Sequence, residues 1–456
     1  MKIGTYVLTV IFIFAALSTA FGEEEQNPLM RGSHLTLEES IDIALEQNPT
    51  LKGAQGAIKE AKYRRLAAVS DFLPQVDTQY SYTWLDEAPT YSTPATTINT
   101  VMGPVTIPAS ERQVGTRDFY TWQSTVTQPV FTGGALINNF LLADLGVDIA
   151  RVEFERTKLD LILNVKEAYY GVLTAEKGVE VAEQTVAQLE SNLEVAQAFF
   201  DVGMTAKNDL LQVEVSMAQA RQYLITAQNG LEVARAVFNT LLRRDIDEEV
   251  NLVEVLEYVP MMVDVDRLTE EAFQERPELK AAGLGVKSAK RGVGLAVSGL
   301  FPQASIVFNY ERQGDDYRVN GSYYEPDPDS WSVMGVARWK VWDWGKTVWG
   351  IGESKAKVFQ AKCALEEFMD GVRLDVKQAS LSVLEAEQNI QVAETAVSQA
   401  EENFRINEER YKGQVATSTD VLDALTLLTQ ARTNYYRALS DYNIAKARLA
   451  RATGGR

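Results

Sequence analysis

The chain has 456 residues and a formal net charge of -19, with one cysteine (Cys363) and one histidine (His34). One cysteine excludes a disulfide framework and any cysteine-rich zinc or iron-sulfur site, and one histidine excludes paired-histidine metal sites and leaves a single candidate for a Ser-His or Cys-His base. So acidic a chain, with no basic patch, repels nucleic acid. No cofactor, metal site or catalytic residue is expected, and the function is expected to reside in the architecture.

The first residues read as an export signal over 1–22. Met1 and Lys2 precede an apolar run from Tyr6 to Leu17, then Ser18-Thr19-Ala20-Phe21-Gly22 and the acidic Glu23-Glu24-Glu25. No cysteine follows that run, so no lipid anchor is expected at the new N-terminus. No later stretch reaches about 18 consecutive apolar residues. An exported chain of this kind is either soluble outside the cytoplasm or crosses an outer membrane as β-strands.

The mature chain repeats itself. The segment from Pro49, PTLKGAQGAIKEAKYRRLAAVSDFLPQ, aligns without a gap with PELKAAGLGVKSAKRGVGLAVSGLFPQ from Pro277. Roughly 12 of 27 positions match, where chance gives about two. Further on, Val130-Phe131 answers Val341-Trp342, Gly134 answers Gly345, and Gln219-Ala220-Arg221 answers Gln430-Ala431-Arg432. The spacing between copies shrinks by roughly 17 residues between these blocks, which assigns a longer loop to the first copy at Ala88 to Arg117. The organisation is a first repeat over 36–243, an acidic linker over 244–266 and a second repeat over 267–453. Between Asp245 and Glu275, about 11 acidic residues face the single Arg267.

Each repeat reads as helix, two strands and a long helical hairpin. Thr36 with Glu39 forms a capping box, and Asn48-Pro49 and Arg276-Pro277 start the next helices. Helical periodicity stops at Pro74 and Pro302. Alternation then places Val76, Thr78, Tyr80, Tyr82 and Trp84 on one face and Asp77, Gln79, Ser81 and Thr83 on the other. Phe119 to Phe131, Ala304 to Arg312 and Trp331 to Val341 alternate in the same way. A soluble half-buried sheet would explain any one such strand; aromatic strand ends and lengths of about 9 to 11 residues suit a membrane barrel. Four strands cannot close, because about eight are the minimum, so several chains must share one barrel. Two chains give eight strands and three give twelve, and only the larger number leaves a lumen of useful width.

The remaining length is helical, with no proline from Ala135 to about Phe200 or from Lys346 to Tyr411. A helix of about 65 residues is on the order of 100 Å long and implies coiled-coil packing. Its seams run through Ala182, Val186, Leu189, Leu193 and Ala196, and through Ala393, Val397, Ala400 and Phe404. Such small seams suit tube-like packing, although a two-stranded structural rod would also use them.

Both hairpins turn at similar residues. The first reads Phe200-Asp201-Val202-Gly203 and continues to Asp209-Leu210-Leu211; the second reads Tyr411-Lys412-Gly413-Gln414 and continues to Asp420-Val421-Leu422-Asp423-Ala424. With the opening LTLEESIDIALEQNP and the passages QPVFTGG and VWDWGK, these residues resemble the TolC-like outer-membrane efflux proteins over essentially the whole mature chain. The resemblance implies a membrane α+β fold: a homotrimeric outer-membrane β-barrel of four strands per chain and twelve in total, continuous with a long periplasmic α-helical barrel. It implies a passive exit duct of a tripartite efflux or type I secretion system, in the outer membrane of a Gram-negative cell. A periplasmic adaptor and an inner-membrane pump would be its partners.

By the same resemblance, Asp420 and Asp423 line a pore constriction that attracts cations, and Asp209 and Tyr411 belong to the polar network of the gate. Val202, Gly203, Gly413 and Val421 belong to the tips that dock the adaptor. Asp420 also stands where an aspartate commonly caps a helix. An arginine of the family pattern is replaced by Ala416, so the gate is either looser or completed by Lys412 or Lys207. A periplasmic coiled-coil adaptor or rod is the alternative reading, opposed by Trp84, Trp122, Trp331 and Trp339 at strand positions. Enzymatic use of Asp315, Asp316, Asp327 and Asp329 is opposed by their place in a solvated external turn.

Overall fold

The computed structural model describes residues 34–455; the export signal expected over 1–22 lies outside them. Helix α1 (Leu37–Gln47) starts at the expected capping box, with Thr36 accepting from Glu39 N and Glu39 reaching back to Thr36 N. Asn48 caps α2 (Pro49–Ser70) by accepting from Thr50 N, with proline at the first helical position. Strand β1 (Gln75–Trp84) then runs out, and β6 (Asp118–Phe131) returns.

After the tight Gly133-Gly134 turn, α3 (Ala135–Asp201) extends for 67 residues, about 100 Å of helix, and α4 (Lys207–Leu242) returns for 36. The second half repeats the order: α5 (Val265–Glu275), α6 (Pro277–Ser298), β7 (Gln303–Gly314), β8 (Asp329–Arg338), α7 (Lys346–Lys412) and α8 (Ser418–Thr453). Its four helices have 11, 22, 67 and 36 residues, the same lengths as α1 to α4. Helix α5 begins inside the stretch read as linker, because Asp264 caps it by accepting from Arg267 N.

The strands form one antiparallel sheet in the order β1-β6-β7-β8. Register puts Tyr80 opposite Trp122, Trp122 opposite Arg312, and Tyr310 opposite Trp331, so the aromatic side chains share a face. Gln79, Gln123 and Glu311 share the other. A bulge between Pro129 and Phe131 accommodates the proline, which has no N–H to give the ladder. Strand β8 ends at Arg338, earlier than the alternation suggests; Trp339 leaves the ladder and donates through its indole to Leu300 O at 3.1 Å.

The stretch from Ala88 to Arg117, expected as a loop, carries four short strands: β2 (Thr90–Thr93), β3 (Thr96–Thr100), β4 (Gly103–Ile107) and β5 (Ser110–Gln113). Strand β2 pairs with β5 and β3 with β4. Prolines masked the threonine, valine and isoleucine content that favours strands; Pro94 and Pro108 fall at the break between the two pairs, where a missing N–H costs nothing.

The core is split to match. Near the chain's waist Leu161, Val165, Tyr169 and Phe238 pack with Leu242, and Val372, Val376, Tyr442 and Leu449 form the counterpart. Tyr169 donates to both Leu35 O (3.1 Å) and Val253 O (2.7 Å), tying two connecting segments to α3. Burial pushes its hydroxyl up to about 12, so it remains a donor. Among the described residues no helix is long and apolar enough to cross a membrane.

Candidate functional site: the hairpin tips

Helix α3 ends when Gly203 takes a left-handed conformation (φ 74°), with Gly203 N donating to Phe200 O and Met204 N to Phe199 O at 2.9 and 2.8 Å. The second turn has the same hydrogen bonds, Gln414 N to Tyr411 O at 2.9 Å and Val415 N to Arg410 O at 2.8 Å. Its left-handed residue is Gln414 (φ 61°), whereas Gly413 is right-handed at φ -82°. The two turn glycines are therefore not equivalent, and a glutamine bears strain that glycine would avoid. The Gln414 side-chain amide donates to Met204 Sδ at 3.4 Å, linking the two tips.

Asp420 and Asp423 stand one helical turn apart on α8, both exposed. Thr417, not Asp420, is the N-cap. Asp420 is the third residue of the helix and completes a capping box, accepting from Thr417 N and Thr417 Oγ1 at 2.8 Å each. Those two hydrogen bonds, with the nearby Arg410 guanidinium, hold its carboxyl below the usual aspartate range. Sequence reasoning missed Arg410, which lies ten residues away and comes close only through the turn.

Tyr411 is buried against Phe199, edge to face at 5.6 Å between centroids. Its hydroxyl has no hydrogen-bond partner among the described residues. Burial, then the neighbouring Asp209 carboxylate, push its pKa up. Asp209 itself accepts from Thr205 Oγ1 at 2.9 Å, so no bond joins the expected pair within one chain. Lys412, one candidate replacement for the cation lost at Ala416, pairs with Glu408 on its own helix at 2.9 Å; Lys207 is exposed in the first turn of α4.

Of the expected docking residues, Val202, Gly203 and Gly413 are exposed. Val421 is 2% exposed and packs with Leu189, Met217, Phe404 and Tyr411, so it supports the tip from inside and offers no surface to a partner. Helical period explains this: Val421, Ala424, Leu425 and Leu428 form the buried stripe of α8. Asp420 and Asp423 lie off it. Between the hairpins, Thr185 and Thr429 hydroxyls meet at 2.9 Å, Arg432 donates to Gln184 at 2.7 Å, and Thr419 donates to Gln212 at 3.2 Å.

The chain is similar to known proteins. The family model described as "Outer membrane efflux protein" matches residues 40–242 and 268–455. The outer membrane protein TolC of Vibrio cholerae is 24% identical over 309 residues, covering 66% of this chain and 69% of that one. The outer membrane efflux protein BepC of Brucella suis is 23% identical over 337 residues, with 72% and 71% covered. In structure, the CmeC outer membrane channel of Campylobacter jejuni superposes with a TM-score of 0.75 at 16% identity, over 92% of this chain and 85% of that one. The open state of the Neisseria gonorrhoeae MtrE outer membrane channel gives 0.73 at 19% identity, over 92% and 89%. The matched residues span both halves and both hairpins: this chain belongs to the outer membrane efflux protein family.

Proposed function

We propose that three copies of this chain form a passive exit duct: a twelve-stranded barrel in the outer membrane, continuous with a helical tube through the periplasm, each chain supplying two copies of one repeat. The observation that carries this reading is the four-stranded sheet itself. Its edges, β1 and β8, have no partner among the described residues, and one face is aromatic while the other is polar. An open sheet cannot sit in lipid with unpaired peptide groups, and β1 of one chain beside β8 of the next removes the edge.

The helical tips are the periplasmic end and meet a periplasmic adaptor bound to an inner-membrane pump. Asp420 and Asp423 from three chains would stack six carboxylates into rings that favour cations. The orphaned Tyr411 hydroxyl supports its place in the gate, since a buried donor without a partner is costly to leave unmade and a second chain or Asp209 can supply an acceptor. Exposed Val202, Gly203 and Gly413 form the adaptor-facing tip, with Val421 buttressing them. Two relatives from Pseudomonas putida are named as antibiotic and toluene efflux pump outer membrane proteins, which supports small toxic compounds as cargo.

Outer-membrane fractionation, followed by sizing in detergent and planar-bilayer recording, tests the reading. A trimer that forms cation-preferring channels is expected; a soluble periplasmic species would support a rod instead and overturn the duct.

A further inference from the structure

The β1–β6 hairpin does not stop at the sheet. Leu85 N donates to Arg117 O and Val114 N to Pro89 O, both at 2.8 Å, and the β2–β5 and β3–β4 pairs continue the same two arms. From Trp84 to the turn at Val101-Met102 the ribbon has about 17 residues per arm, enough to project up to roughly 50 Å beyond β1. The β7–β8 connection behaves differently: Tyr80 donates its hydroxyl to Tyr317 O at 2.8 Å, folding that loop back over the sheet.

The outer ribbon is amphipathic. Register puts Ile98 opposite Val105 and Thr96 opposite Ile107 on one face, while Thr97 and Thr106 join hydroxyls at 3.1 Å on the other. The tip is fully exposed, with Val101 at 108% and Met102 at 101%. From Pro89 to Ser110 there is no charged residue.

A two-stranded ribbon alone in water is marginal; it needs a third strand or a covered face. Exposed edges of high β-propensity are normally guarded by charge; here charge is confined to the base of the ribbon, with Glu111 and Arg112 in β5, and the outer β3–β4 pair has none. The absence of lysine and arginine is unsuited to the phosphate and sugar of a lipid headgroup, which charged donors would hold. An apolar face with uncharged strand edges is self-complementary. The ribbon also rises directly from β1, the free edge at which a neighbouring chain would join, so each boundary between chains would carry one ribbon to a common rim. Tethering three copies there raises their effective concentration without any further contact.

We propose that the ribbons of three chains converge over the outer mouth of the duct and pack through Ile98, Val105 and Ile107, with Val101 and Met102 meeting at the tips as a cap. This rests on the trimeric reading above. The test uses the full chain with Cys363→Ser, carrying Met102→Cys at the solvent-exposed tip, reconstituted at low density. Oxidation, or a short bis-maleimide, should convert most of the protein to a covalent dimer on a denaturing gel, while Thr97→Cys on the polar face stays monomeric. A trimer by sizing that gives no Met102→Cys cross-link overturns the cap alone. Cross-linking that appears only at high density shows contact between separate assemblies and also overturns it. Absence of the trimer by sizing defeats the assembly reading and the cap with it.

Discussion

Single residues at the tips carry conflicting duties. Asp420 is both a capping-box acceptor and a proposed ring carboxylate, whereas Asp423 is exposed and makes no capping contact. Asp423→Asn is therefore the cleaner test of the constriction: cation preference in planar bilayers should fall, with no loss of thermal stability. Asp420→Asn should lower both, since it weakens the cap as well as the charge; unchanged selectivity in both variants would remove the carboxylates from the pore. Gln414 offers a second test. Glycine there relieves left-handed strain and gives up the contact to Met204, so Gln414→Gly should be neutral or stabilising by up to about 1 kcal/mol. A lower melting temperature would mean that the link between tips outweighs the strain.

Elements show where sequence was informative and where it was not. Helix starts at Thr36 and Asn48 and the four sheet strands were legible because caps and alternation are local signals. The turn strain at Gln414 was not, because Gly413 one position earlier offered a plausible site, and only backbone angles separate them. The motif places Val421 at a docking surface, while its side chain completes the apolar stripe of α8; a motif gives position along the helix, not which face is covered. The ribbon strands β2 to β5 are hidden by prolines, of which Pro94 and Pro108 sit at breaks in pairing while Pro104 lies within β4 opposite Asn99. At this scale Thr417→Ala should cost about 1 kcal/mol by removing the α8 cap, measurable as a lower melting temperature of the detergent-solubilised protein.

Over the whole molecule, residues far apart in sequence meet in one ion-pair cluster, of which the Arg451–Asp160 bond joins the two halves. Arg451, near the end of α8, donates to Asp160 on α3 at 2.6 Å and to Glu278 on α6 at 2.5 Å, and Arg276 pairs with Asp375 on α7 at 3.0 Å. No local pattern announces such a cluster. Burial pushes the Glu278 carboxyl up, but the hydrogen bond from Arg451 and the charges of Arg451 and Arg276 outweigh it and hold it below the ordinary range. A carboxylate with a lowered folded pKa contributes its stability above the unfolded value and loses it as pH falls through the folded one. Acidification below the ordinary glutamate value of about 4.3 should therefore weaken the hold of α6 on the end of α8 within the second half, and Glu278→Gln should flatten that part of the pH–stability profile. Arg451→Met should cost on the order of 2 kcal/mol, less than a fully buried pair because Asp160 reaches solvent.

The equal lengths of α3 and α7 constrain how such a chain can change. Both leave the sheet together and end in tips that touch through Gln414 and Met204. One residue inserted in α3 alone would push its tip about 1.5 Å deeper and turn it by about 100°, breaking register with its twin. Seven residues would nearly restore the facing but leave the tips about 10 Å out of level. Lengthening the tube therefore requires matched insertions in both halves, so the two copies are bound to vary in size together even while their sequences drift apart.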